Sequence, residues 1–118
     1  MIEQEFARQF AAEWIEAWNR HDLDRVLSLY ADNFEMVAPL IVTIAGEPSG
    51  KLKGKTAVRA YWSRGLQLIP NLHFELTEIL RGVESMPLTY QGHRGPSAEV
   101  FEFNAAGKVV RASTHYSE

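Results

Sequence analysis

The 118-residue sequence predicts an α+β fold in which helices from the N-terminal half pack on one face of a curved, antiparallel sheet. Three observations predict it. Large apolar residues recur at helical spacing between Ile2 and Trp18, and again between Ala57 and Ile69. From Leu72 onward the pattern shortens to alternating runs separated by turn signals. The helical segments come first and the strands after, within a length suited to a single domain over residues 1–118.

The first helix is read from Ile2, Phe6, Phe10, Trp14 and Trp18, every fourth residue, with Glu3, Glu5, Arg8, Gln9, Glu13 and Glu16 at other positions. Asn19-Arg20-His21-Asp22 breaks the stripe, and Asp22 suits the N-cap of a short second helix carrying Leu23, Val26, Leu27 and Tyr30. The two helices form a hairpin, with His21 in an exposed turn. A strand follows, its inward face formed by Phe34, Met36 and Ala38, and Ile41 to Ile44 extend it past Pro39. Gly46 to Gly50 reads as a loop. A third helix from Thr56 to Leu68 presents Ala57, Val58, Tyr61, Trp62 and Leu66, and Pro70-Asn71 ends it. Leu72–Arg81, Met86–Gln91, Ser97–Phe103 and Lys108–Tyr116 then form an antiparallel meander, with turns at Gly82, Gly92-His93-Arg94-Gly95 and Asn104–Gly107.

Composition narrows the function. Twelve basic against fifteen acidic side chains leave a formal charge of -3, unsuited to gripping nucleic acid phosphates. With no cysteine the chain has no thiol nucleophile, no disulfide and no thiolate metal site. The acidic start at Glu3 and Glu5 does not suit a signal peptide, and the charge-free stretch Met36–Ala45 is too short to span a bilayer. The expectation is a soluble, cytoplasmic protein that engages neither membrane nor nucleic acid.

Two motifs fall short of their chemistry. Ser49 to Thr56 ends like a phosphate-binding loop but has Ser49 where that loop needs glycine, so it reads as a solvated basic loop. His21, His73, His93 and His115 share no metal-ligand spacing, so no metal site is expected. Glu99 is more informative. Strand alternation puts it on one face with Phe101 and Phe103, where burial raises a carboxyl's pKa toward neutrality. The competing reading pairs it with Arg111 or Arg94. Trp14, Trp18, Tyr30, Tyr61 and Trp62 all point inward, as plain core or as the wall of an apolar pocket with a few polar handles.

Several strings resemble a known family. Ala17-Trp18-Asn19-Arg20-His21-Asp22-Leu23-Asp24 with Leu29-Tyr30-Ala31-Asp32, Gly54-Lys55-Thr56-Ala57-Val58-Arg59 opening the third helix, and Phe101 to Val110 as the last hairpin are similar to the ketosteroid isomerase and SnoaL-like polyketide cyclase branch of the nuclear transport factor 2-like superfamily. The resemblance covers nearly the whole chain. It implies a cone-shaped roll, a mainly antiparallel curved sheet with the three helices on its concave face, and a homodimer formed through the outer sheet face. It does not specify an activity, since the superfamily holds isomerases, cyclases, hydrolases and non-catalytic modules.

The isomerase constellation is mostly missing. The position of the proton-abstracting aspartate is Ala38; the oxyanion tyrosine falls on Trp14 and a supporting tyrosine on Trp62. Tyr30 is retained, and the oxyanion acid corresponds to Glu99. The resulting expectation is acid–base chemistry by Glu99 on an apolar carbonyl compound, assisted by Tyr90, Tyr116 or Tyr30, with no cofactor. The pocket is expected to be lined by Trp14, Trp18, Tyr61, Trp62 and Leu66 from helices, by Phe34, Met36 and Ala38 from the first strand, and by Phe74, Phe101 and Thr114 from later ones. Thr114 and Tyr116 point into the cone and His115 out of it. The alternative is a non-catalytic homodimeric module of the same fold.

Overall fold

The structure, a computed structural model, describes residues 1–118. Helix α1 spans Gln4–Asn19 and buries Phe10, Trp14 and Trp18 along the expected stripe. The short helix α2, Leu23–Leu27, is capped by the Asp22 carboxylate, which accepts from the Arg25 N–H at 3.2 Å. Arg25 returns to α1 and donates to both carboxylate oxygens of Glu13, at 2.8 and 2.9 Å, clamping the hairpin. The turn between the helices differs from expectation. His21 is half-buried, holds the left-handed φ of 55°, and places Nε2 2.9 Å from the Leu72 carbonyl oxygen, tying the hairpin to the segment before the meander.

Strand β1 runs from Tyr30 to Val37, so Tyr30 starts a strand rather than ending the second helix. Leu23, Val26, Leu27 and Tyr30 satisfy helical spacing, but Tyr30 instead packs on Phe34, with ring centroids 4.5 Å apart. Ile41–Ala45 is a single π-helical turn rather than an extension of the strand. Glu47 N–H donates to the Ile41 carbonyl at 3.4 Å, closing the turn before the left-handed Gly46. Lys51–Lys53 forms a short edge strand, β2, where a loop was expected. Helix α3, Lys55–Leu68, then buries Val58, Tyr61 and Trp62.

Four strands complete the sheet: β3 Glu75–Ile79, β4 Ser85–Gly92, β5 Gly95–Phe103 and β6 Val109–Tyr116. The order is β2-β1-β6-β5-β4-β3, antiparallel throughout except where β1 runs parallel to β6. Along β4 and β5 the side chains of Met86, Leu88, Tyr90, Ser97, Glu99 and Phe101 are buried, whereas their neighbours in sequence face outward. The helices cover the inward face. Phe10 meets Phe101 and Phe103 edge-on at 4.8 and 5.0 Å, and Trp14 stacks on Phe74 at 5.5 Å. Asn19 fixes this junction through both amide atoms, accepting from Phe74 N–H at 2.7 Å and donating to its carbonyl at 2.9 Å.

Candidate functional site

Between the open ends of α1 and α3 and the concave side of β4–β6 lies a cavity of about 70 Å³, open to solvent on one side. Its wall is largely aromatic. Trp18 and Trp62 meet nearly at right angles with centroids 5.0 Å apart, and Trp14, Phe74 and Tyr90 continue the wall. Trp18 Nε1 is sealed from solvent without a hydrogen-bond partner, enclosed by the rings of Trp14, Trp62 and Phe74.

The only carboxyl lining this cavity is that of Glu99, and its environment follows from strand register. Glu99 lies opposite Thr114 on β6 and opposite Leu88 on β4, one inward position from Tyr90. Its Oε1 accepts from the Thr114 hydroxyl at 2.8 Å and from Tyr90 at 3.4 Å. Oε2 makes no hydrogen bond, yet Trp18 Nε1 is the sole sealed polar atom lacking a partner, so Oε2 opens onto the cavity. Burial among aromatic rings raises the Glu99 pKa from 4.5 to about 7, against the opposing effect of the two hydrogen bonds. Ion pairing plays no part. Arg111 is on the outer face, bonded to Glu35 at 3.0 Å and Glu102 at 3.2 Å, and Arg94 lies over the ring of Tyr116.

Three tyrosines share the cavity with Glu99. Desolvation raises the pKa of Tyr90 and Tyr61 and brings Tyr116 up to about 12, so all three remain hydroxyl donors at neutral pH. Tyr90 already donates to Glu99. Tyr61 and Tyr116 hold no such bond and are the free donors.

Of the expected lining, Trp14, Trp18, Met36, Tyr61, Trp62 and Leu66 surround the cavity, together with Phe74, Thr114 and Tyr116. Tyr30, expected to assist Glu99, and Phe34, Ala38 and Phe101, expected in the wall, do not line the cavity. All four are buried, but they lie behind the wall. The Tyr30 hydroxyl accepts from Trp14 Nε1 at 3.0 Å and so orients the indole rather than a ligand. Phe34 and Phe101 pack behind Trp62 and Trp14 respectively. Ala38 is held by its N–H to the Gly50 carbonyl.

Sequence reading missed Leu40 before the π turn and Ile44 within it, Ile69 and Leu72 after α3, and Ser97 and His93. Ser97 was within reach of the alternation that singled out Glu99. Gly92 also contributes, because a Cβ there would approach Tyr90 Cε2 to 3.3 Å and Phe74 Cε1 to 3.4 Å.

No three His, Asp or Glu side chains gather to hold a metal ion, and no helix is long and apolar enough to cross a membrane. A second hollow, beside α2 and the start of α3, is polar and more open. Its charges are already paired, Arg59 with Asp24 and Lys55 with Asp32 at 3.5 Å.

Comparison with known proteins places this site in context. Over 99% of this chain and 98% of the other, the fold matches that of a SnoaL-like protein from Burkholderia thailandensis E264, with 54% identity and a TM-score of 0.94. An epoxide hydrolase/cyclase-like enzyme of pyran ring formation in the polyether salinomycin shares the fold at 14% identity and a TM-score of 0.74, over 99% of this chain and 95% of that one. A protein of ketosteroid isomerase-like fold from Catenulispora acidiphila DSM 44928 matches at 18% identity and a TM-score of 0.73, over 92% and 85% of the two chains. The family model of the SnoaL-like domain matches residues 11–112, which run from α1 into β6 and include the Glu99 carboxyl and most of the aromatic wall, so the chain belongs to the SnoaL-like family.

Proposed function

We propose that this protein binds a small apolar carbonyl compound in the aromatic cavity and moves a proton with Glu99. The observation that carries the reading is the division of labour within one carboxyl: Oε1 is held by Thr114 and Tyr90, while Oε2 opens onto the cavity with a pKa of about 7. Such a group is present in both protonation states at neutral pH, as general acid–base catalysis requires. In the ionised state Oε2 accepts a proton from the carbon next to the carbonyl. The electron pair moves to the carbonyl oxygen, where a hydroxyl of Tyr116 or Tyr61 donates to the developing charge. Returning the proton completes an exchange. Ala38 supplies no base, so a mechanism with a separate aspartate base at that position is excluded.

The test is hydrogen exchange at the α-carbon of butanone and 3-pentanone in D₂O, followed by proton NMR. The native protein should accelerate loss of the α-proton signals, with a rate that rises through pH 7 as Glu99 ionises, and Glu99→Gln should abolish the acceleration. Equal rates for the two proteins would defeat the assignment.

A second reading is favoured by the outer sheet face. There Pro87, Val100, Ser113 and Val37 form one cross-strand row bordered by the Glu35–Arg111–Glu102 ion network. We infer that this face joins two copies, whether the cavity is catalytic or only binds its ligand. Light scattering should give twice 13.4 kDa for the native protein and 13.4 kDa for Val100→Arg. A native monomer at working concentration would refute it. The cysteine-free chain suits the reducing cytoplasm to which we assign it.

A further inference from the structure

The proton-transfer reading leaves unused one charged group that stands against a cavity residue, Arg94 over Tyr116. Gly92 and Gly95 bracket a tight turn between β4 and β5, and Gly95 holds a φ of 83° that only glycine adopts without strain. This turn puts His93 in the cavity wall and leaves Arg94 exposed beside Tyr116. The His93 ring meets the Tyr116 ring edge-on at 5.9 Å, and the Arg94 guanidinium carbon sits 5.3 Å from the centroid of the same ring, which itself lines the cavity.

The partners of the other cations make Arg94 conspicuous. Arg20, Arg25, Lys55, Arg59 and Arg111 are ion-paired. Arg64, Arg81 and Lys108 are hydrogen-bonded to Gln67, Ile2 and Ser28. Arg8, Lys51, Lys53 and Arg94 remain, and of these only Arg94 stands against a cavity residue. A cation–π contact engages the guanidinium through the ring face and leaves its N–H donors uncommitted. Those donors form the fork that suits a carboxylate.

Spacing narrows the ligand further. Tyr116 lies opposite Ser97, two residues along β5 from Glu99, which is roughly 7 Å of strand.

We propose that Arg94 recognises an anionic group, and that the ligand is a short oxoacid with its carbonyl at Glu99 and its carboxylate beside Arg94 and Tyr116. This rests on the proton-transfer reading of Glu99 and names the substrate class for it. Tyr116 holds the guanidinium in place, and the apolar wall between the two ends selects the connecting chain.

The test uses 5-oxohexanoate and its methyl ester, titrated calorimetrically into the native protein, Arg94→Met and Glu99→Gln. Methionine keeps an unbranched apolar stem over Tyr116, and circular dichroism checks that each variant is folded. The native protein should bind the acid about fivefold more tightly than the ester, the range of a solvent-exposed ion pair. Arg94→Met should bring the acid down to the ester's affinity and leave the ester unchanged, while Glu99→Gln weakens both alike. An acid-to-ester ratio that survives Arg94→Met overturns the role of Arg94. Equal native affinity for acid and ester, with both weakened by Glu99→Gln, removes the anion site but keeps the carbonyl site. A preference erased by Arg94→Met but with no effect of Glu99→Gln keeps the anion site and removes the carbonyl end. Binding of neither compound removes both.

Discussion

Replacing Glu99 by glutamine isolates the energetic cost of ionising one buried carboxyl. The amide keeps the shape, and its oxygen can still accept from Thr114 and Tyr90 as Glu99 Oε1 does at 2.8 and 3.4 Å, but it cannot titrate. Folding raises the Glu99 pKa from 4.5 to about 7, so the folded state holds a proton that the unfolded chain has released at intermediate pH. Stability contributed by this group is therefore complete below pH 4.5, falls as pH rises toward 7, and levels off above it. At 1.36 kcal/mol per pH unit the full loss is about 3 kcal/mol. Urea unfolding of both proteins at half-unit steps from pH 4 to 8.5 measures it, because every other titratable group is common to the two chains. The native protein should lose about 3 kcal/mol relative to Glu99→Gln across that range. Parallel stability curves would show that Glu99 ionises in the folded protein as readily as in the unfolded one, and the account of its burial would fail.

Three further outcomes follow from the packing. Thr114→Val removes the shorter of the two hydrogen bonds that favour the Glu99 carboxylate, so its titration midpoint should move above 7, as read from the side-chain carbon resonance in NMR. Trp18→Ala should cost about 3–5 kcal/mol in urea unfolding, because Trp18 is buried against Trp14, Trp62 and Phe74; a loss under 1 kcal/mol would mean the site refills. Asn19→Ala leaves both backbone groups of Phe74 without their amide partner and should cost about 2 kcal/mol, with an intact hydrogen-exchange pattern at Phe74 counting against the junction.

Legibility from sequence tracked how strongly a local pattern constrained each residue. The fourfold stripe of α1 and the alternation of β5 have one physical solution each, and both Trp14 and Glu99 fall where those periods put them. Tyr30 satisfied two patterns at once, and only the packing of its ring on Phe34 decides between them. Ile41–Ala45 is apolar and rich in β-branched residues, which suits a strand, yet Pro39 and the left-handed Gly46 confine it to a helical turn. Lys51–Lys53 is too short and too charged to signal an edge strand. The cavity was only half visible. Alternation tells which way a side chain faces but not how deep it lies, so Phe34, Ala38 and Phe101 were inward as expected yet behind the wall, whereas His93 entered from a turn that has no period.

The parallel pairing of β1 with β6 has a consequence for how the molecule comes to be made. Glu35 lies beside Arg111 and Met36 beside Ala112, residues 76 apart in the chain, while the meander strands pair with their immediate neighbours. Contacts that distant close large loops and form late. As the chain leaves the ribosome, the helices and β1 emerge well before the strand that joins them to the meander. Until β6 arrives, Glu35, Met36 and Val37 have no sheet neighbour on that side, and Glu99 has no Thr114. The site is the last part of the fold to be completed, and a chain ending before residue 109 would expose an unpaired strand edge with aromatic residues beside it, the kind of surface that draws chaperones or aggregates.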